Sequence, residues 1–110
     1  MKDRISRVNS LIQEKIAEIL VREIFVKDVL ITVLGVDTYK DLKYAKIKIS
    51  IMPFNQSEKV LKILKKQLPN LQRILNQKII IKFDPQIRFA LYKTGEKSSR
   101  VEAILRKIKS

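Results

Sequence analysis

The sequence predicts an α+β fold in which helices cover one face of a three-stranded sheet. Two long segments carry apolar residues at spacings of three and four, which is typical of helices with one buried face. Three other segments are β-branched or alternate between apolar and polar residues, which is typical of strands. One layer of helices on one sheet buries both kinds of apolar face. We expect residues 1–110 to form one domain, since 45% of them are hydrophobic and can fill a core.

The first predicted element is a long amphipathic helix over roughly residues 3–25. Charged residues lie between its apolar positions, so one side of the helix is apolar and the other is polar. We expect the apolar side to pack on the sheet. Its members are Ile5, Val8, Ile12, Ile16, Ile19 and Leu20.

The next two elements are predicted to form an antiparallel hairpin. Residues 28–36, DVLITVLGV, are apolar and β-branched, and the polar link DTYKD joins them to residues 43–52, KYAKIKISIM. The second stretch alternates almost without error, as a strand does when one face lies in a core and the other in water. The apolar set is Ala45, Ile47, Ile49 and Ile51, and the polar set is Tyr44, Lys46, Lys48 and Ser50.

A second helical region follows this strand. Asn55 stands three residues before Glu58, which is the spacing of a capping box. Proline lacks an amide proton and disfavours helix in the preceding residue, so we predict a break or kink at Leu68, Pro69 and Asn70, followed by a second short helix. The side chains expected to point largely outward are Lys59, Lys62, Lys65 and Lys66.

The last strand is predicted to begin at KIIIKF, residues 78–83, and to continue past a bulge or edge position at Pro85. Ile80 has the polar parity of this strand. Either the strand is covered on both faces or Ile80 contacts a partner, and we favour the first interpretation. Ser99 and Glu102 are spaced to cap a final helix. The apolar residues of that helix are Val101, Ile104, Leu105 and Ile108.

The chain is strongly basic, with 24 Lys and Arg against 11 Asp and Glu and a net charge of +13. The charge is uneven: residues 1–55 carry 10 basic and 7 acidic side chains, whereas residues 56–110 carry 14 and 4. Such an excess favours polyanionic partners such as nucleic acid or an acidic membrane. The alternative is a lysine-rich composition that only keeps the protein soluble.

Several function classes lack the residues they need. There is no cysteine or histidine, which removes the Cys or His nucleophile, the commonest general base and nearly all zinc sites, and two glycines are too few for a phosphate-binding loop. Asp37, Asp41 and Asp84 near strand ends could bind magnesium, but such residues are more often turn formers. We expect no cofactor and no enzymatic activity, so a hydrolase or nuclease is the weakest hypothesis.

No apolar run approaches the ~20 residues of a membrane span, and we expect a cytoplasmic protein.

Basic side chains are the better candidates for function. We expect those from separate segments to converge into one continuous surface that contacts several phosphates. Tyr44 and Tyr92 lie among them and could stack on unpaired bases, although tyrosines beside a sheet more often serve packing. The candidates are Lys46 and Lys48 on a strand, Lys65, Lys66 and Arg73 beside the kink, and Lys78, Lys82 and Arg88 of the last strand.

Four segments of the chain, taken in order, resemble the ribosome-binding factor A family of bacterial proteins that help to mature the small ribosomal subunit. The segments are RISRVNSLIQEKIAEIL, ITVLGVDTYKDLKYAKIKISI, LQRILNQKIIIKFDPQIRF and RVEAIL, so the resemblance covers nearly the whole chain. It implies a KH-like fold of the second type, with the order α-β-β-α-α-β-α and a kink between the second and third helices.

The resemblance also implies a function. A member of this family is expected to bind ribosomal RNA on the immature small subunit as a monomer in the cytoplasm, to assist RNA end processing without catalysing it, and to serve adaptation to cold. Two other hypotheses remain open: a structural component of the ribosome, and a general KH-like RNA-binding module. By position, the residues implied to contact RNA are Arg4, Arg7, Lys46, Arg73, Lys78 and Arg88.

The chain departs from the family's pattern in two places. Family members have small residues and a glycine at the helix kink, where this chain has Leu68, Pro69 and Asn70. Pro69 is expected to supply the kink, and Asn70 to tolerate the left-handed conformation that a glycine would take. The family's aspartate after the position of Phe89 is also missing, since the sequence there reads ALYKTGEKSSR.

Overall fold

The computed structural model describes residues 4–80 and 84–93. These residues form a three-stranded mixed sheet and two long helices, which confirms the predicted α+β class. The predicted final helix and Lys82 lie outside the described residues. The elements, in chain order, are helix α1 (Arg4–Glu23), strand β1 (Leu30–Thr38), strand β2 (Tyr44–Met52), a short 3-10 helix (Phe54–Gln56), helix α2 (Ser57–Lys78) and strand β3 (Gln86–Leu91).

The sheet has the order β1-β2-β3, with β2 in the centre. Strands β1 and β2 form the predicted antiparallel hairpin, with Thr38 opposite Ala45. Strands β2 and β3 are parallel, with Ala45 opposite Ile87. A parallel pair requires a long crossover connection, and α2 supplies it. This path agrees with the KH-like fold implied by the family resemblance.

The alternation in β2 divides the sheet into two faces. Ala45, Ile47, Ile49 and Ile51 are all buried, and we call their side of the sheet the inner face. Ile87 and Leu91 of β3 are also buried on this face. The lysines of β2 project from the opposite side, which we call the outer face.

Both helices pack on the inner face of the sheet. Apolar side chains of α1 and α2 join those of the strands in one core, and each fully buried Leu or Ile stabilises the fold by about 1.5–3 kcal/mol. The predicted apolar side of α1 is therefore confirmed. The buried side chains are Val8, Ile12, Ile16, Ile19 and Leu20 of α1, and Val60, Leu61, Leu64, Leu71 and Leu75 of α2.

The predicted division of the second helical region into two helices is wrong. Helix α2 continues through Pro69 without interruption, and Asn70 is helical rather than left-handed. Pro69 is exposed, so the helical hydrogen bond that it cannot donate is missing on the solvent side of the helix. Core contacts of Leu64, Leu71 and Leu75 on both sides of the proline hold the two halves in one helix.

Two other local predictions are wrong. Asn55 does not cap α2, because it lies within the 3-10 helix and Gln56 occupies the N-cap position without a side-chain hydrogen bond. The predicted strand does not begin at Lys78, because Lys78 ends α2 and Ile79 and Ile80 belong to no strand, while residues 81–83 lie outside the described residues. Strand β3 begins at Gln86. Ile80 is 96% exposed and precedes β3, so the interpretation that it belongs to a strand covered on both faces is wrong.

The turn between β1 and β2 is closely held. The backbone N–H of Tyr39 donates to the carbonyl of Tyr44 at 2.9 Å, and that of Leu42 donates to the carbonyl of Tyr39 at 2.9 Å. The Asp41 carboxylate accepts from the N–H of Lys43 at 3.0 Å. Leu42 has a φ of 61°, which leucine seldom adopts, and its buried side chain anchors this conformation in the core.

One glutamine of α2 fastens β3 to the helix. The Gln72 side-chain oxygen accepts from the N–H of Ile87 at 2.8 Å, and its amide donates to the carbonyl of Pro85 at 3.0 Å. The same amide donates to the side chain of Asn76 at 3.0 Å. Gln72 therefore satisfies a backbone donor and a backbone acceptor at the start of an edge strand.

We predict that Gln72→Ala lowers the free energy of unfolding by about 1–3 kcal/mol, because it leaves part-buried backbone groups at Pro85 and Ile87 without these partners. Urea denaturation followed by circular dichroism measures this change. The control is Gln77→Ala, an exposed glutamine of the same helix, which should change stability by less than about 0.5 kcal/mol. Equal stabilities of the two variants would contradict the role of Gln72.

Candidate nucleic-acid interface

The predicted RNA-binding residues lie in three regions of the described structure. One is the start of α1, the second is the exposed side of α2, and the third is the outer face of the sheet. The residues in these regions are Arg4 and Arg7 on α1, Lys65, Lys66, Arg73 and Lys78 on α2, and Lys46, Lys48 and Arg88 on the outer face.

The sheet separates the second and third regions. Since α2 packs on the inner face, its exposed side points away from the sheet, whereas the strand residues project from the outer face. The expectation of one continuous basic surface is therefore wrong for these two sets. Two basic surfaces with different surroundings take its place.

The first surface is a row of cations that we call the α2 ridge, made of Lys59, Lys62, Lys65, Lys66 and Arg73. All five side chains are exposed, and their spacing puts them opposite the buried side chains of the same helix. At 1.5 Å per residue, the ridge extends over about 21 Å. The only acidic residue of α2 is Glu58, in its first turn, so the helix itself leaves the ridge without an interposed carboxylate.

The C-terminal end of the ridge meets helix α1. Arg73 donates a hydrogen bond to the side-chain oxygen of Asn70 at 2.6 Å, and Asn70 in turn donates to the Glu23 carboxylate at 3.5 Å. The predicted kink residue Asn70 therefore links the two helices and orients the Arg73 guanidinium. The Glu23 carboxylate also marks where the positive potential of the ridge weakens.

Lys78 lies apart from the ridge. It borders a shallow groove between α1 and α2, together with Glu18, Arg22 and Glu23. Mixed charges surround Lys78, and it lies in the last turn of α2, where a cation interacts favourably with the helix dipole. These surroundings favour a structural role for Lys78, in contrast to the lysines of the ridge.

The second surface is the outer face of the sheet. Lys46 and Arg88 are paired across β2 and β3. Lys48 forms an ion pair with Asp37 of β1, with 3.3 Å between the ammonium nitrogen and the carboxylate oxygen. The Lys48 side chain passes over Gly35, where a Cβ atom would lie 3.2 Å from its Cε. Lys48 is therefore partly neutralised, whereas Arg88 is exposed and faces an aromatic ring.

That ring belongs to Tyr44, at the start of β2. The guanidinium carbon of Arg88 lies 4.7 Å from the centroid of the Tyr44 ring, within the range of a cation–π interaction. The Tyr39 ring lies against Tyr44 with 5.8 Å between centroids and 60° between planes. A guanidinium and two phenol rings thus form a small cluster at one end of the outer face.

Three residues of the two basic surfaces were not among the RNA-binding residues predicted from the sequence. Lys59 and Lys62 complete the α2 ridge, and their spacing with Lys66 already placed them on its exposed side. Tyr39 was missed because the turn geometry that brings it to Tyr44 depends on the left-handed conformation of Leu42. No local pattern in the sequence signals that conformation for a leucine.

The described part of the chain contains no group of three or more acidic, cysteine or histidine side chains placed to hold a metal ion. None of the helices within residues 4–80 and 84–93 is both long and apolar enough to cross a membrane.

Comparison with known proteins identifies the family. A sequence profile described as Ribosome-binding factor A matches residues 4–105. The chain is 32% identical over 109 residues to Ribosome-binding factor A of Protochlamydia amoebophila, covering 96% of this chain and 82% of that protein. It is 34% identical over 110 residues to the protein of the same name from Chlamydia felis, covering 96% and 92%.

Two solved structures have the same fold. The crystal structure of ribosome-binding factor A from Thermus thermophilus matches with a TM-score of 0.67 at 18% identity, covering 79% of this chain and 94% of that one. The solution structure of a putative ribosome binding factor A from Thermotoga maritima matches with a TM-score of 0.66 at 24% identity, covering 81% and 89%. Sequence profile, relatives and fold agree, and the chain belongs to the ribosome-binding factor A family.

Proposed function

We propose that this protein is a ribosome assembly factor that binds the ribosomal RNA of the immature small subunit. It assists maturation of the subunit and processing of the RNA ends, and it leaves when maturation is complete. It acts in the cytoplasm as a monomer and catalyses no reaction itself. The relatives carry the name Ribosome-binding factor A, which supports a ribosomal partner for this chain.

The observation that carries the proposal is the α2 ridge. Five exposed cations lie along one side of helix α2, whose single acidic residue, Glu58, lies in its first turn. A polyanion lying along this row gains favourable interactions along about 21 Å without passing a carboxylate of the same helix. An ordinary solvated helix intersperses charges of both signs, and this one does not.

Long lysine side chains supply affinity in this arrangement and little sequence selectivity. Contacts to phosphates fix position and orientation, whereas selectivity for one RNA comes from its folded shape and its unpaired regions. The helix that carries the ridge is held in place by core contacts, which suits recognition of a folded RNA surface. It also suits reversible binding, since contacts of this kind weaken as the RNA changes shape or as other components compete for the phosphates.

We predict that the affinity of the protein for immature small subunits falls steeply with salt. Neutralising about five phosphates gives a slope near −3.5 in a plot of log affinity against log salt, or roughly a hundredfold loss between 50 and 200 mM. Titration of labelled protein with purified precursor subunits at several potassium chloride concentrations measures the slope. An affinity that is independent of salt would contradict binding through phosphates.

We predict that Lys62→Ala combined with Lys66→Ala weakens subunit binding by roughly 10- to 30-fold at 100 mM salt and makes the salt slope shallower by about 1.4, because two phosphate contacts are lost. The matched control is Lys27→Ala combined with Lys93→Ala, which removes the same charge at exposed positions outside the ridge. The control should retain most of the affinity. If both double variants lose affinity equally, net charge rather than the ridge determines binding.

An assembly factor differs from a permanent ribosomal component in the subunits on which it is found. An assembly factor should sediment with precursor subunits and be absent from mature ribosomes, and its depletion should lead to accumulation of precursor RNA and unjoined small subunits. Quantitative mass spectrometry of gradient fractions measures the distribution. Equal amounts on precursor and mature subunits would favour the structural component.

A further inference from the structure

The cluster of Tyr39, Tyr44 and Arg88 on the outer face is not explained by the α2 ridge, from which the sheet separates it. Tyr39 is 53% exposed, and Arg88 is exposed as well. Two exposed planar groups thus each contact the ring of Tyr44. We call this cluster the tyrosine–arginine platform.

The platform is built on rigid parts of the fold. Tyr44 and Arg88 lie on paired strands, and the Tyr39 backbone is fixed by its hydrogen bond to the carbonyl of Tyr44. The buried side chain of Leu42 anchors the turn between the two tyrosines. An aromatic side chain held in this way loses little conformational freedom when a flat ligand stacks on it.

The charges around the platform favour an anionic ligand. Lys40 and Lys43 of the turn are exposed, and Lys46 is paired with Arg88 across the strands. Two carboxylates of the β1–β2 hairpin already have partners: that of Asp41 accepts a backbone hydrogen bond within the turn, and that of Asp37 is paired with Lys48. Flat stacking surfaces surrounded by cations are what binding of single-stranded nucleic acid requires.

We propose that the tyrosine–arginine platform binds unpaired bases of RNA. Tyr39 and Arg88 provide the stacking surfaces, Tyr44 orients both of them, and the lysines of the turn contact the neighbouring phosphates. A duplex does not offer its base faces for stacking, so the ligand is a single-stranded segment. This inference rests on the proposed function, since it names the kind of RNA that the second surface of the same protein takes.

The test uses the full chain and two labelled RNAs of ten nucleotides without self-complementarity, one intact and one with abasic sites at the central positions. Both carry the same phosphates. Stacking predicts that the protein binds the intact RNA about 5- to 100-fold more tightly at 50 mM salt, as measured by fluorescence anisotropy. Equal affinities for the two RNAs, or no binding to the intact one, would overturn the proposal.

Variants then locate the effect. Tyr39→Ala should abolish the preference for the intact RNA, whereas Tyr39→Phe, which keeps the ring, should retain it. Arg88→Lys keeps the charge but loses the planar guanidinium, so it should reduce the preference as well. Thermal unfolding measures whether each variant is folded. Because the side chains of Tyr39 and Arg88 are exposed, we expect all three variants to fold. A full preference in Tyr39→Ala would overturn the proposal.

Failure of the platform proposal can be distinguished from failure of the proposed function. The Lys62→Ala and Lys66→Ala variant should weaken binding to precursor subunits and leave the preference for intact over abasic RNA unchanged, because the ridge and the platform lie on opposite sides of the sheet. If the ridge variant behaves in this way and Tyr39→Ala has no effect, the platform alone is refuted.

Discussion

The burial of one face of β2 fixes the positions of the other two strands and of both helices. This strand is the centre of the sheet and pairs with β1 on one side and β3 on the other. Its four inward side chains, Ala45, Ile47, Ile49 and Ile51, lie under both helices. A slip of one residue would turn them to water and turn Lys46 and Lys48 into the core, at a cost of many kcal/mol. The register of β2 therefore decides which cations face outward and where the helices must lie.

Because the helices lie on one side, the α2 ridge and the outer face are separate basic surfaces of the described structure, with different chemistry. The α2 ridge presents flexible ammonium groups suited to phosphates, whereas the outer face combines Arg88 with the rings of Tyr39 and Tyr44. We propose that the first surface supplies affinity with little selectivity and that the second binds regions where RNA bases are unpaired. An RNA segment that contacts both must pass around an edge of the sheet, which favours a folded RNA over a straight duplex.

Much of the fold could be predicted from the sequence, because periodicity reports burial directly. The alternation in KYAKIKISIM and the spacing of Ile12, Ile16 and Ile19 give the correct elements and the correct inward sides. Local rules failed where tertiary contacts outweighed them. Core contacts on both sides of Pro69 keep α2 continuous, and the helix extends to Lys78 although KIIIKF has the composition of a strand. Likewise, sequence spacing predicted that the lysines of α2 and β2 are on the surface, but it could not reveal that they lie on opposite sides of the sheet.

We propose that ribosomal RNA lies along the α2 ridge. Chemical acetylation of lysines, read by mass spectrometry with and without immature small subunits, tests it most directly, because modification of each ammonium group reports its own accessibility. We predict strong protection of Lys59, Lys62, Lys65 and Lys66 in the complex, while Lys27, away from the ridge, remains as reactive as in the free protein. Undiminished acetylation of the ridge lysines in a complex that has demonstrably formed would contradict it.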